Sequence, residues 1–173
     1  MATLDRLLAE VQRAWPGKRI WLTEWGYQTN PPDRILGVSH QAQARYLGDG
    51  SFRAYRAPRV DLLIHYLVRD EADVGRFQSG LYTAKGAAKP SASAFPLPLA
   101  AAALGTVWGQ VRPGAGPHPY RLQLVRSNGR TAWLGGARRT TARGYFTARV
   151  PRGSVVRLYS VRSGGFGVPV LVR

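Results

Sequence analysis

The sequence predicts an α/β unit followed by an all-β unit, and three observations carry that expectation. Helical spacing alternates with short, nearly continuous apolar runs from residue 3 to residue 95. Beyond Gly105 the apolar residues fall into short alternating runs cut by glycine and proline turns. All nine acidic residues lie between Asp5 and Asp73, so the chain also changes character electrically along its length.

Leu4, Leu7, Leu8, Val11 and Trp15 share one helical stripe over residues 3 to 15, with Thr3 placed to cap it and Pro16-Gly17 to stop it. Ile20-Trp21-Leu22-Thr23 is short and mostly apolar, as a strand buried in a parallel sheet should be. A polar loop, Thr29-Asn30-Pro31-Pro32-Asp33, leads to a second helix that begins near Ser39, runs through Gln41, Ala44, Tyr46 and Leu47, and resumes around Phe52. Val60 to Val68 reads as the second strand, opened by Pro58 and left through Arg69-Asp70-Glu71. Phe77 to Tyr82 is a short strand or extended loop, Ala84-Lys85-Gly86 a turn, and Lys89 to Phe95 a short helix entered through Pro90. Helix, strand, helix, strand is the rhythm of a βα-repeat fold.

The second unit carries runs at Val107 to Val111, Tyr120 to Val125, Ala132 to Leu134, Tyr145 to Val150, Val155 to Val161 and Val168 to Val172. Pro113-Gly114, Asn128-Gly129, Gly135-Gly136 and Gly164-Gly165 separate several of them, which reads as a small antiparallel β-sandwich. Tyr120-Arg121-Leu122-Gln123-Leu124 alternates as a half-buried strand does, and Trp108 and Trp133 are expected in the core, the alternative being an exposed sugar platform. The boundary falls between Pro98 and Gly105, giving units of residues 1 to 98 and 105 to 173.

Composition narrows the function. There is no cysteine, and His40, His65 and His118 have no metal-ligand spacing, so neither a metal nor another cofactor is expected. No apolar run reaches the roughly 18 residues of a membrane span, and the start of the chain lacks the apolar core of an export signal. Residues 1 to 73 hold ten Lys and Arg against the nine acids, a net charge of +1, whereas residues 74 to 173 hold fifteen and no carboxylate side chain, a net charge of +15. Such a surface attracts polyanions, although arginine spaced along strands is also an ordinary solvated face.

The sharpest local signal is Trp21-Leu22-Thr23-Glu24-Trp25-Gly26-Tyr27, where an apolar strand ends in a carboxylate followed by aromatics and a glycine. In a βα barrel the loops after the strands open onto the active face, and alternation puts Ile20, Leu22 and Glu24 on one side. A glutamate so placed can attack an anomeric carbon, provided a second carboxyl stands about 5 to 5.5 Å away. The plainer alternative is a solvated strand-end glutamate.

WLTEWGYQTNPPD, QAQARYL, LLIHYLVRDE and FQSGLYTAKGAAKPSASAF follow one another in an order and spacing that resemble the end of a clan A glycoside hydrolase barrel. The resemblance covers residues 1 to 98 and implies a partial (β/α)8 TIM barrel, its last two βα units, from a retaining enzyme. Thr23-Glu24-Trp25-Gly26 matches the family's nucleophile context on the seventh strand, Leu62 to Val68 its eighth strand, and Ser79-Gly80-Leu81, Gly86, Lys89-Pro90 and Ala94-Phe95 its finish. It implies Glu24 as nucleophile, carbohydrate as substrate, and Trp25, Tyr27, Tyr66 and Asp70 as substrate-binding candidates. Asp70 and Glu71 read first as structural, holding Arg69 and Arg76, and His65 reads as a satisfied core residue ahead of a general base.

The family's acid/base, an Asn-Glu pair on the fourth strand, is absent, and a whole barrel needs about 250 residues. Hydrolysis by this chain alone is therefore not expected, because general acid catalysis supplies roughly 10²- to 10⁴-fold. The missing strands come from another chain, or the gene is truncated, or Met1 is an internal start. The second unit resembles small immunoglobulin-like domains appended to bacterial hydrolases. The family implies a secreted or wall-associated parent; the alternative is a non-catalytic protein whose basic sandwich docks acidic polysaccharide or cell wall.

Overall fold

The computed structural model describes residues 3–173. Helix α1 (Leu4–Ala14) and strand β1 (Ile20–Trp25) lie where hydrophobic spacing puts them. Thr3 precedes α1, but its side chain makes no capping bond. Helix α2 (His40–Arg56) is capped by Ser39, whose hydroxyl accepts from the Ala42 N–H at 3.2 Å, and it runs unbroken through Gly48-Asp49-Gly50. Strand β2 (Val60–His65) is shorter than the apolar run that encodes it, and it pairs with β1 in parallel. The β1-α2-β2 segment is thus a βαβ unit. Two strands do not close a barrel, and the first part consists of that unit with α1 ahead of it and a long loop behind.

Residues 66–90 form the long loop after β2, and Phe77 to Tyr82 takes the extended-loop form of the two readings given for it. They are stitched by isolated bridges joining Arg69 with Tyr82 and Tyr82 with Ala88. The short helix α3 (Ser91–Ala94) follows Pro90. Residues 99–103, an alanine-rich stretch between the two expected units, form strand β3 (Leu99–Ala103).

Strand β3 pairs antiparallel with β4 (Thr106–Gln110), and β4 with β8 (Tyr145–Arg149). A second sheet has β5 (Pro119–Val125) at its heart, flanked by β9 (Val155–Ser160) on one side and β6 (Thr131–Trp133) with β7 (Arg138–Arg139) on the other. Strand β10 (Val170–Leu171) completes it beyond β9. Both sheets are wholly antiparallel, the arrangement of a β-sandwich. Their inner faces bury Leu99, Val107, Phe146 and Ala148 against Tyr120, Leu122, Val156 and Leu158. Tyr120 and Phe146 stack across the gap with ring centroids 4.0 Å apart. The expected turn at Asn128-Gly129 closes the β5–β6 hairpin, with Gly129 at φ 77°.

Helix α2 joins the two parts. A Cβ at Gly48 would enter the Leu99 carbonyl oxygen, so glycine lets the helix lie directly on β3. That close approach explains why a residue costing about 1 kcal/mol in a helix interior sits there. Beside it Trp108 is fully buried between Phe52 and Tyr55 of α2 and Tyr145 of β8. The Arg112 guanidinium donates to Gln110 Oε1 (2.9 Å), the Phe95 carbonyl (2.9 Å) and Ser51 Oγ (3.0 Å), and it lies over the Phe95 ring. Burial without a carboxylate pushes its pKa down to about 10.

Trp133 is a correction to the sequence reading. It is 39% exposed, on the outer face of the second sheet and not in the core. A three-residue strand offers too little alternation to tell its two faces apart.

Candidate active site

Glu24 lies at the C-terminal end of β1, one residue before the strand stops, and is exposed. Register shifts between Leu22 and Trp25, where three steps on β1 face two on β2. Such a bulge re-aims the side chains that follow it, so strict alternation from Ile20 does not by itself orient Glu24. A Cβ at Gly50 of α2 would strike the Trp25 indole, so Trp25 packs toward α2. Among the described residues no hydrogen bond or ion pair engages the Glu24 carboxylate.

Tyr27 packs edge-on to Trp25 (centroids 5.7 Å apart) and tilts against Tyr46 of α2 at 5.1 Å. Burial pushes the Tyr27 hydroxyl above its ordinary pKa. These two rings form the wall behind β1. Gly26, between them, is held by close approach, since a Cβ there would enter the Tyr66 carbonyl oxygen.

Tyr66 follows β2 and lines an open cleft of about 290 Å³ together with Gln28, Glu71, Gly75, Arg76 and Phe77. Its ring meets Phe77 edge-on at 5.3 Å. Of the residues singled out in the sequence for sugar contact, Tyr66 and Glu71 line this cleft; Glu24, Trp25, Tyr27 and Asp70 do not. Gln28, Arg76 and Phe77 are additions that the sequence reading lacked, because two loops of no regular period bring them together.

Asp70 is the second correction. Its side chain is 1% exposed, and its Oδ1 accepts from Lys89 Nζ at 2.7 Å and from the Gly80 N–H at 2.8 Å. That leaves it no open face for a sugar, and its role is structural. Lys89 Nζ also donates to Thr29 Oγ1 (2.8 Å) and the Gln78 carbonyl (3.1 Å). Burial pulls the Lys89 pKa down, while Asp70 opposes the change. Gln43, buried on α2, donates to the carbonyls of Tyr27 and Ser79 at 3.0 Å, and Ser79 Oγ donates to the Tyr66 carbonyl. The loops after β1 and β2 are therefore fixed to each other by a buried polar cluster, which gives Ser79-Gly80 and Lys89 of the sequence motif a physical role.

Glu71 pairs loosely with Arg76 at 3.8 Å and accepts from the Phe77 N–H at 2.9 Å, whereas Arg69 donates to the Ala84 carbonyl. His65 lies between Trp25 and Phe95, with both ring nitrogens buried close to backbone groups of Ser79, Trp25 and Leu67 but without a hydrogen bond of normal geometry among the described residues, a core histidine only partly satisfied. Burial above all holds its pKa below the ordinary 6.5, and the Arg112 charge adds to that, with backbone groups of Ser79 and Trp25 acting the other way. Among the described residues no group of three acidic, histidine or cysteine side chains could hold a metal ion, and no helix is long and apolar enough to cross a membrane.

No family model matches the chain, and no curated protein matches it. Solved structures similar to it include glycosidases. Two are of Bacteroides uniformis beta-glucuronidase 2: a calcium-binding mutant, at 14% identity and TM-score 0.44, and the protein covalently bound to cyclophellitol-6-carboxylate aziridine, at 15% and 0.46. Each comparison covers 99% of this chain and 24% of the other, so the chain spans about a quarter of their length.

Proposed function

We propose that residues 3 to 98 are the closing βα part of a retaining glycoside hydrolase barrel, with Glu24 as its nucleophile. The observation that carries this reading is the placement of Glu24: a solvent-open carboxylate without a partner among the described residues, at the C-terminal end of a parallel strand. Catalytic groups of βα barrels occupy such positions. In the proposed reaction the carboxylate attacks the anomeric carbon, the glycosidic oxygen leaves with a proton from a second carboxyl, and water then cleaves the ester. Among the described residues the neighbouring acids are committed elsewhere: Asp70 to Lys89 and Glu71 to Phe77 and Arg76. The acid/base therefore comes from strands outside this chain, and the chain alone does not turn over. Tyr66 is the proposed sugar-facing ring, while Trp25 and Tyr27 support the strand end.

In the protein that carries the complete barrel, Glu24→Gln abolishes glycosidase turnover without lowering the thermal midpoint; retained turnover refutes the assignment. Intact-mass analysis after a slow-releasing fluorinated glycoside finds the sugar adduct on Glu24, and an adduct on another carboxylate overturns it.

A second reading concerns the sandwich, proposed as a docking module for acidic polysaccharide. Its support is the charge division, with every cation after residue 73 lacking a carboxylate counterpart on its own stretch of chain.

A further inference from the structure

The outer face of the second sheet carries an aromatic cluster laced with guanidinium groups. Trp133 of β6 meets Tyr159 of β9 at 5.3 Å and stacks with Phe166 at 6.1 Å and 19°, and Tyr159 and Phe166 lie 4.7 Å apart. Arg121 of β5 lies 3.9 Å over Trp133, and Arg157 of β9 lies 3.9 Å over Phe166. Register makes the arrangement: Arg121 sits opposite Tyr159, and Gln123 sits opposite both Trp133 and Arg157. Arg157 Nε and one terminal nitrogen donate to Gln123 Oε1 at 2.8 and 2.6 Å, which fixes its plane. Among the described residues Arg121 hydrogen-bonds the Gly135 carbonyl alone, at 3.4 Å.

Two like charges thus stand diagonally on neighbouring strands, where side chains are within about 7 to 8 Å of one another. Neither guanidinium has a salt bridge to a described residue. The terminal nitrogens keep unused N–H groups along an edge that matches the two oxygens of a carboxylate. The stacked guanidinium groups and neighbouring rings occupy the aromatic faces, whereas single-stranded nucleic acid needs open faces on which to stack its bases.

We infer that this face, centred on Arg121, Arg157 and Trp133, is a binding site for a carboxylate-bearing polysaccharide, its guanidinium edges pairing with successive carboxylates along the polymer. The inference rests on the docking reading of the sandwich and gives that reading a place.

The test measures binding of the whole chain to polygalacturonate, with single-stranded DNA as the competitor polyanion. Arg121→Gln with Arg157→Gln weakens polygalacturonate binding at least tenfold. Arg149→Gln with Arg152→Gln, an equal charge loss away from this face, changes it less than threefold. Equal losses for the two pairs overturn the site but leave the docking reading standing, and no binding by the unaltered chain overturns both. Tighter binding of DNA than of polygalacturonate overturns the polymer class. Hydroxyl-radical labelling of the unaltered chain, independent of how the variants fold, shows Trp133 and Phe166 protected by polygalacturonate; unprotected rings overturn the site.

Discussion

The two parts of this chain are held together by opposite means. The sandwich buries an apolar cluster drawn from both of its sheets, whereas the part before it buries Thr29, Gln43, Asp70, Gln78 and Lys89 and leaves Trp21 67% and Ile64 44% exposed on its strands. Apolar burial tolerates rearrangement, because any well-packed hydrophobic surface can replace another. A buried polar cluster does not, since a donor that loses its acceptor keeps the full cost of its lost water. The first part should therefore be brittle where the second is compliant.

The largest effect sharpens that contrast. Lys89→Met leaves the Asp70 carboxylate buried beside its other partner, and chemical denaturation should show a loss of about 3–5 kcal/mol. Adding Asp70→Leu should recover part of it; a milder single variant would show that the cluster is not the holding element. Next comes the joint between the parts. Arg112→Met abandons three acceptors, Gln110 Oε1, the Phe95 carbonyl and Ser51 Oγ, for an expected cost of about 2–3 kcal/mol. Gly48→Ala should cost about 1–3 kcal/mol by lifting α2 from β3. Gly136→Ala, with open space around it, should change the midpoint little.

A smaller effect follows from His65. Its folded pKa lies below 6.5, so in the window beneath that value the unfolded chain takes up a proton that the folded chain refuses. Stability from this residue is complete above pH 6.5 and falls as the pH is lowered through the folded pKa. Thermal midpoints between pH 7 and 5 should decline, and His65→Phe should flatten the decline; an unchanged slope would locate it elsewhere. The smallest effect is at the proposed nucleophile, where Glu24→Gln should stay within about 0.5 kcal/mol because the carboxylate is exposed.

Much of this was legible beforehand, and the parts that were not share a cause. The α1 stripe, the start of α2 near Ser39, the two apolar strands and the Asn128-Gly129 turn are encoded by neighbours a few residues apart, where backbone sterics and periodicity suffice. Strand β3 escaped notice because a run of alanines has neither alternation nor bulk. For Asp70 the partner was missed: Arg69 and Arg76 are its neighbours in the chain, while Lys89 lies 19 residues away and comes to it only through the loop's fold, which also removes the sugar contact its rim position suggests.

The sequence by itself determined where most of the helices and strands run, where the charge divides, and that Glu24 ends a strand. Tertiary structure alone decided that Trp25 turns to α2, that Asp70 disappears beneath the rim, and that Trp133 faces solvent beside Arg121. Periodicity states that an element has two faces; which face is covered depends on what the rest of the chain packs against it.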